Sequence, residues 1–599
     1  MIDYAQRGNG AAGSAFIPRT LTGGQIVVAT LAALGVRHIF GVPGGQTLAI
    51  NDAIAAEPRI DFVTTHHENA AACMADAVGR FSRAPGVCLA TAGPGATNLL
   101  TGIGGAFRDS SPVLALTCNG YNEHLDMDDA QSADHVQIFR ALTKWATQVT
   151  EPSAIAGTLV QAWIRASSGC PGPVLVDLTR SALEGMVASP PLPELRPELP
   201  RAAAPDRGAV ARAAALLRDA QFPLMWLGNG ARLAGAGETA LQLAERMHIP
   251  VITTYNGTGT VPTTHPAVLG TLSRMGTELT TRALAECDVL LAVGNSFSGV
   301  STARWSLPMP SRIIQVDIDP AMLGRYYPDR TIGVPGDARA VLAALISEVG
   351  TSRAGPAGNG ATGGTSGTGG GAAQESRRGW MSVLAERRAT WRRLDYAGPA
   401  GTGALGPAEL VLALRELLPD ETVMIADAGN PGVWTHLWEI PRPDTYFKPV
   451  GFGNMGFALP AAIGLRLAAG PGLPIVALVG DGSLGMSLAE LETLARVGGP
   501  VAVIVMNDSG FGNIRQAQEL RYGRTAGVDF LPIDFAAAAR ACRVPGARVT
   551  DRPGLISAVT QGLAGGGPFL VDALIDTTHS AWAYPAFQPF RPADADAED

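Results

Sequence analysis

The chain has 599 residues, with 45 Lys and Arg against 53 Asp and Glu and a formal charge of −8. That length carries about three to five domains, and the acidic balance leaves no basic footprint for nucleic acid. Its apolar runs are strand-length, well short of the roughly 18 residues of a membrane span, and its six cysteines are scattered without a Cys-x-x-Cys pair, which argues against a disulfide framework or zinc site and for a reducing, cytoplasmic setting.

In chain order, the N-terminal stretch lacks the basic-then-apolar layout of a signal peptide. Residues 18–185 read as a first α/β domain. A helix is expected over 21–35 and a short strand over 36–40, followed by the turn Gly41-Val42-Pro43-Gly44-Gly45. A strand at 62–65 runs into His66-His67-Glu68-Asn69 and an alanine-rich helix. A strand at 86–91 precedes Gly93-Pro94-Gly95-Ala96-Thr97-Asn98, and further strands fall near 112–117 and 173–177. Strands and helices alternating on this scale specify an open parallel sheet. Glu68 by itself reads as a helix-start carboxylate favoured by the helix dipole.

Residues 200–347 repeat the layout. Apolar runs at 224–227, 251–254, 289–293 and 313–319 alternate with helical segments, which predicts a second doubly wound domain. Asp317 ends one run, where it would either take a ribose hydroxyl or cap a turn. Residues 351–376 are almost all Gly, Ser, Thr, Ala and Pro, a composition that predicts a disordered connector. Residues 377–396 carry Trp380, Val383 and Leu384 among arginines and look helical.

The third domain, 406–577, holds the most informative stretch. An apolar run from Pro474 to Val479 meets Gly480-Asp481-Gly482-Ser483. An amphipathic helix with Leu488, Leu491 and Leu494 follows, and a second apolar run ends at Asn507-Asp508. This is a β–α–β crossover. Its special points fall at strand ends, where open sheets bind ligands. Gly480 and Gly482 permit a tight turn whose N–H groups cradle a phosphate. Asp481 and Asn507 are oxygen donors on adjacent strands, and a hard cation such as Mg²⁺ takes such donors together with phosphate oxygens. The plainer reading is an Asp-Gly turn with Asn507 as a helix cap.

The whole arrangement resembles the thiamine diphosphate (ThDP) signature of the acetolactate synthase, pyruvate oxidase and benzoylformate decarboxylase superfamily. The resemblance covers nearly the whole chain in order, omitting the linker, the first 15 or so residues and the tail after Thr577. It implies three doubly wound parallel-sheet domains: pyrimidine-binding, central and diphosphate-binding. It implies Mg²⁺ ligands in the side chains of Asp481 and Asn507 and the carbonyl of Ser509. Asp508 stands where many relatives carry a second Asn, a variation that under this assignment removes no ligand. Glu68 would hydrogen-bond N1′ of the aminopyrimidine and promote proton removal from thiazolium C2, with Pro94 and Asn98 beside the ring. Asn430, in the turn after strand 423–427, would contact the diphosphate together with Gly482 and Ser483. The Gly453 carbonyl would accept from the 4′-amino group, and Met455 would wedge beneath the cofactor. Gln131 would face the substrate; His135 is a weaker candidate for that contact, against a packing role. The central domain resembles one that binds FAD in acetolactate synthases and ADP in oxalyl-CoA decarboxylase; FAD, ADP and an empty site all stay open here.

Acetolactate synthases are the nearest pattern, with two departures. Ala517 stands in the place of their acceptor-selecting Trp, and Phe297-Ser298-Gly299-Val300 replaces an arginine-bearing run that grips a carboxylate. A charge-assisted fork is thereby lost, which favours a different, bulkier acceptor. The tail 578–599, aromatic and proline-rich, would either cover the active-site mouth or pack on the surface. The expected protein is a cytoplasmic ThDP- and Mg²⁺-dependent 2-oxo acid decarboxylase or carboligase. Its partners would be small molecules and a second copy of itself, as homodimer or homotetramer. The competing readings are a 2-hydroxyacyl-CoA or oxalyl-CoA lyase and an inactive regulatory subunit of the same fold.

Overall fold

The computed structural model of the chain describes residues 20–125, 127–188, 198–200, 204–272, 276–351, 369–392 and 405–576. Three six-stranded parallel sheets organise it. In the first, the spatial order is Asp61–Thr64, His38–Gly41, Gly86–Ala90, Val113–Asn119, Val174–Thr179, Trp145–Val149. In the third it is Tyr446–Phe447, Val423–Ala426, Ile475–Gly480, Val501–Asn507, Phe569–Leu574, Gly546–Val549. Numbered along the chain, both orders are 2-1-3-4-6-5, so the first and third domains share a topology. The central sheet runs Val268–Thr271, Val251–Thr253, Pro223–Leu227, Val289–Val293, Ile313–Asp317, Thr331–Pro335. That is the 3-2-1-4-5-6 order of a nucleotide-binding doubly wound sheet.

The central strands of the sheets are continuous Val, Ile, Leu and Ala runs buried on both faces, as parallel sheets between helical layers require. The first and third domains are joined by the helices Glu68–Ser82 and Ala458–Ala469, whose small residues let them pack closely and whose side chains enter one shared core. Glu490, on the helix Glu490–Val497 of the third domain, reinforces this contact: its Oε1 accepts from the His66 N–H at 2.8 Å.

The central domain extends beyond the predicted 347. The helix Gly369–Arg392 opens inside the glycine-rich stretch and packs on it. Arg377 there donates to the carbonyls of Leu217, Arg218 and Ala220, and the Trp380 ring meets Phe222 edge-on at 5.7 Å. The connector predicted for 351–376 therefore stops short of its expected end; residues 352–368, like the tail 578–599, lie outside the described residues. Among the described residues no helix is long and apolar enough to cross a membrane.

Candidate active site

Three turns converge at the carboxyl ends of adjacent strands in the third domain. The first follows Val423–Ala426 and holds Asp427 to Asn430. The second follows Ile475–Gly480 and holds Asp481 to Ser483. The third follows Val501–Asn507 and holds Asp508 to Gly512. The chain reverses its winding between the first two strands, and such switch points are where open sheets bind ligands.

Asp481 begins a helix and is 2% exposed. Its Oδ1 accepts from the Gly482 N–H at 2.7 Å and its Oδ2 from the Gly510 N–H at 3.1 Å. Burial and the negative charge of Asp508 push its carboxyl up to about 7. Burial also pushes Asp508 up to about 6, against the pull of Arg515. The Arg515 guanidinium stands 3.5 Å from Asp508, but it also reaches Asp529 at 2.7 Å. Any side chain at Gly512 would strike Asp508 Oδ2 and the Asn430 amide, so only a glycine lets these two groups meet there. Asn430 Oδ1 accepts from Asn513 at 3.2 Å.

Register pairs Gly480 with Met506, which sets Asp481 level with Asn507. The Asn507 amide nitrogen donates to Asp572 Oδ1 at 2.8 Å and to the Ile533 carbonyl at 3.2 Å. Its Oδ1 accepts from the Ser509 N–H, which also bonds Asp481, so Asn507 Oδ1 stands beside the Asp481 carboxylate. The Ser509 carbonyl accepts from the Phe530 N–H at 3.3 Å and from Arg515 at 3.4 Å.

Among the described residues, no group of three or more His, Cys, Asp or Glu side chains gathers as a metal site. The desolvated Asp481 carboxylate, with the Asn507 amide oxygen and the carbonyls of the turn beside it, matches Mg²⁺, which uses one or two carboxylates and takes its remaining ligands from phosphates, carbonyls and water.

Asp427, which the sequence reading passed over, is 1% exposed and accepts from the Ala428, Phe457 and Ala458 N–H groups at 2.8–3.0 Å. It ties the Asn430 turn to the segment 451–457. Burial raises it to about 6. Ser483 is buried beside it. Gly453 has φ +69°, and the Phe511 ring and Met455 methyl close over Gly482.

The first domain brings together Glu68, Pro94, Asn98 and Gln131. Glu68 opens its helix, 8% exposed, with the His67 ring as cap. Asn98 Nδ2 donates to Glu68 Oε2 at 2.9 Å, from the short helix Pro94–Asn98. Gln131, at φ +64°, accepts from Gln46, which in turn accepts from Thr91. Gln46 and Thr91 were not predicted; both sit in turns after strands. Among the described residues, no hydrogen bond or ion pair joins Glu68 to Asp481 within one chain.

A cleft of about 1670 Å³ opens over the central sheet. Gly228, Asn229 and Gly294 line it at strand ends, with Asp317 beyond them and Asn513, Ile514 and Ala517 of the third domain at its far wall. Asp317 caps the Asp319 N–H at 3.0 Å, and burial raises its carboxyl.

Three doubly wound domains, two of one topology and each contributing a polar strand-end cluster, are the layout of a cofactor-dependent α/β enzyme. Comparison with known proteins agrees. Residues 21–138, 210–345 and 427–573 match the N-terminal TPP binding domain, the central domain and the C-terminal TPP binding domain of thiamine pyrophosphate enzymes. The chain is similar to the acetolactate synthase large subunit of Parasynechococcus marenigrum, 33% identical over 574 residues covering 93% of this chain and 88% of the relative. It is 31% identical to a probable acetolactate synthase large subunit of Methanocaldococcus jannaschii, covering 93% and 92% of the two chains. It is 30% identical to the isozyme 2 large subunit of Escherichia coli, covering 94% and 97%. The chain belongs to the thiamine pyrophosphate enzyme family and is a ThDP-dependent enzyme.

Proposed function

We propose that the protein is a Mg²⁺-dependent 2-oxo acid decarboxylase and carboligase, breaking or forming the carbon–carbon bond next to a carbonyl. The observation that supports this reading is Asp481: a desolvated carboxylate raised to about 7 at the end of a parallel sheet, level with Asn507 on the adjacent strand and beside Asn430 and two glycine-opened turns, a setting suited to a cation bearing a diphosphate.

Asp481, the Asn507 side chain and the Ser509 carbonyl would hold the metal, with Asp572 orienting the Asn507 amide through its nitrogen. Asn430, Gly482 and Ser483 would bind the diphosphate. Bound ThDP supplies the electron sink for cleavage at the 2-oxo carbon. Glu68 exchanges a proton with the pyrimidine nitrogen, and Asn98 holds the carboxyl in place through Oε2. Met455 and Phe511 shape the floor and exclude water. Gln131, held by Gln46, orients the substrate. Ala517 on the cleft wall leaves room for an acceptor larger than a small 2-oxo acid.

A second copy of the chain completes the site. Leu48, Met127, Phe452 and Met486 flank the two half-sites and are 61%, 61%, 46% and 57% exposed, an apolar rim that a homodimer would cover. Glu68 of one chain then faces Asp481 of the other. The central cleft exceeds the roughly 300–1,000 Å³ of drug-sized sites and suits an extended nucleotide such as ADP or FAD, held without a redox role.

The test is a screen of 2-oxo acids, with and without aldehyde acceptors, for ThDP- and Mg²⁺-dependent CO₂ release. Release with at least one donor supports the reading. ThDP binding with no turnover of any donor would instead indicate a non-catalytic member of the fold.

A further inference from the structure

His135 is wholly buried. Its ring bridges two groups. Nδ1 lies 2.8 Å from Asp177 Oδ1, and Nε2 accepts from the Gly93 N–H at 3.1 Å. An imidazole nitrogen that accepts from an amide carries no proton, so the other nitrogen carries it and donates to Asp177. Asp177 is itself locked. Thr117 donates to it at 2.7 Å, Asn119 at 3.0 Å and Gln148 at 2.8 Å. Burial acts to raise its carboxyl, but the bonds from His135 and these neighbours hold it below the ordinary value.

The amide so held is a demanding one. Gly93 has φ +57°, and a Cβ there would lie 2.8 Å from the Gln131 carbonyl oxygen. It caps the helix Pro94–Asn98, whose last residue donates to Glu68. The chain of contacts therefore runs Asp177, His135, Gly93, Asn98, Glu68, with Gln131 resting on the same turn.

We propose that His135 is a positioning residue for the proton-transfer centre: in its neutral form, oriented by Asp177, it sets the Gly93 turn and through it the Asn98–Glu68 hydrogen bond and the backbone of Gln131. Asp177 is the charged group bonded to the ring. The elements packed around it also carry Cys118, whose thiol burial and Asp177 push well up, and Arg140 on the following turn. This inference rests on the functional reading only through the role of Glu68.

The experiment compares His135→Gln, which keeps an acceptor for Gly93 and a donor for Asp177, with His135→Leu, which keeps neither. Hydrogen exchange measured by mass spectrometry on the cofactor-free full chain reads the turn without any activity. The 91–99 peptide should exchange on the order of tenfold faster in His135→Leu, as expected when a buried donor loses its partner, and at the wild-type rate in His135→Gln. In the holoenzyme, kcat should fall on the order of tenfold in His135→Leu, with KM little changed, and be largely restored in His135→Gln. Equal exchange in all three proteins, or equal loss of kcat in both variants at unchanged thermal stability, overturns the proposal. A wild-type protein that turns over no donor would sink the proposed function, while the exchange result would still decide whether His135 holds the turn.

Discussion

Replacing Asp508 with Asn tests the charge environment of Asp481 through stability. In the metal-free chain, Asp481 is raised from 3.8 to about 7. Each unit is worth about 1.4 kcal/mol, so the shift corresponds to roughly 4 kcal/mol at alkaline pH. The Asp508 shift shares part of the same repulsion, and the two do not add. The sign follows from linkage. A folded-state pKa above the unfolded value means that the folded chain binds the proton more tightly. Stability is therefore highest below about pH 4 with respect to this pair, falls as pH rises through about 7, and is flat beyond. Asp508→Asn removes one buried charge and the repulsion on the other. Dialysed against a chelator at pH 8, the variant should melt several degrees above wild type, since about 1 kcal/mol moves a domain of this size by roughly 2–4 °C. Near pH 4 the difference should vanish. With Mg²⁺ and ThDP in excess both proteins should gain the binding energy and melt higher. Scanning fluorimetry from pH 4 to 8 under both conditions reads all of this. A metal-free variant no more stable than wild type at pH 8 would refute the repulsion between Asp508 and Asp481.

Asp481→Ala should abolish tight ThDP binding in calorimetry with Mg²⁺ present; unchanged affinity contradicts the metal role. Glu68→Gln should bind ThDP nearly as wild type yet lose roughly 100- to 10,000-fold in turnover, the usual share of a positioned acid or base. Mixed after dissociation, inactive Glu68→Gln and Asp481→Ala chains should recover activity, since half the sites of a mixed dimer carry both intact residues; mixed dimers as dead as their parents would exclude a site shared between chains. Purified protein should show no flavin absorbance that bleaches on adding pyruvate, and bleaching would point to an oxidase.

Local pattern reached far in this chain. Apolar runs of strand length marked strands 86–90, 289–293 and 475–480 to within a residue or two, because a strand buried on both faces needs no partner information to be recognised. Glycine turns after strands 86–90, 423–426 and 475–480 placed Asn98, Asn430 and Asp481, and the end of strand 61–64 placed Glu68, since the end of a parallel strand is a position along the chain. Strand 145–149 and the two-residue strand 446–447 escaped, as half-buried or very short edges carry little apolar signal. What no local pattern decides is which way a side chain turns once its strand has ended. Asn507 and Asp508 are neighbours, and either is a plausible oxygen donor on paper. Asp572, 65 residues beyond Asn507 in the chain, claims the Asn507 amide nitrogen and so turns its Oδ1 to the Ser509 N–H, which also bonds Asp481. The same holds for His135, whose role depends on Asp177 and Gly93, 42 residues away on either side. Residue types and their spacing determined the cofactor class. The orientation of each polar group was decided by hydrogen-bond partners distant in sequence, because a buried donor or acceptor must be satisfied wherever the fold supplies a partner.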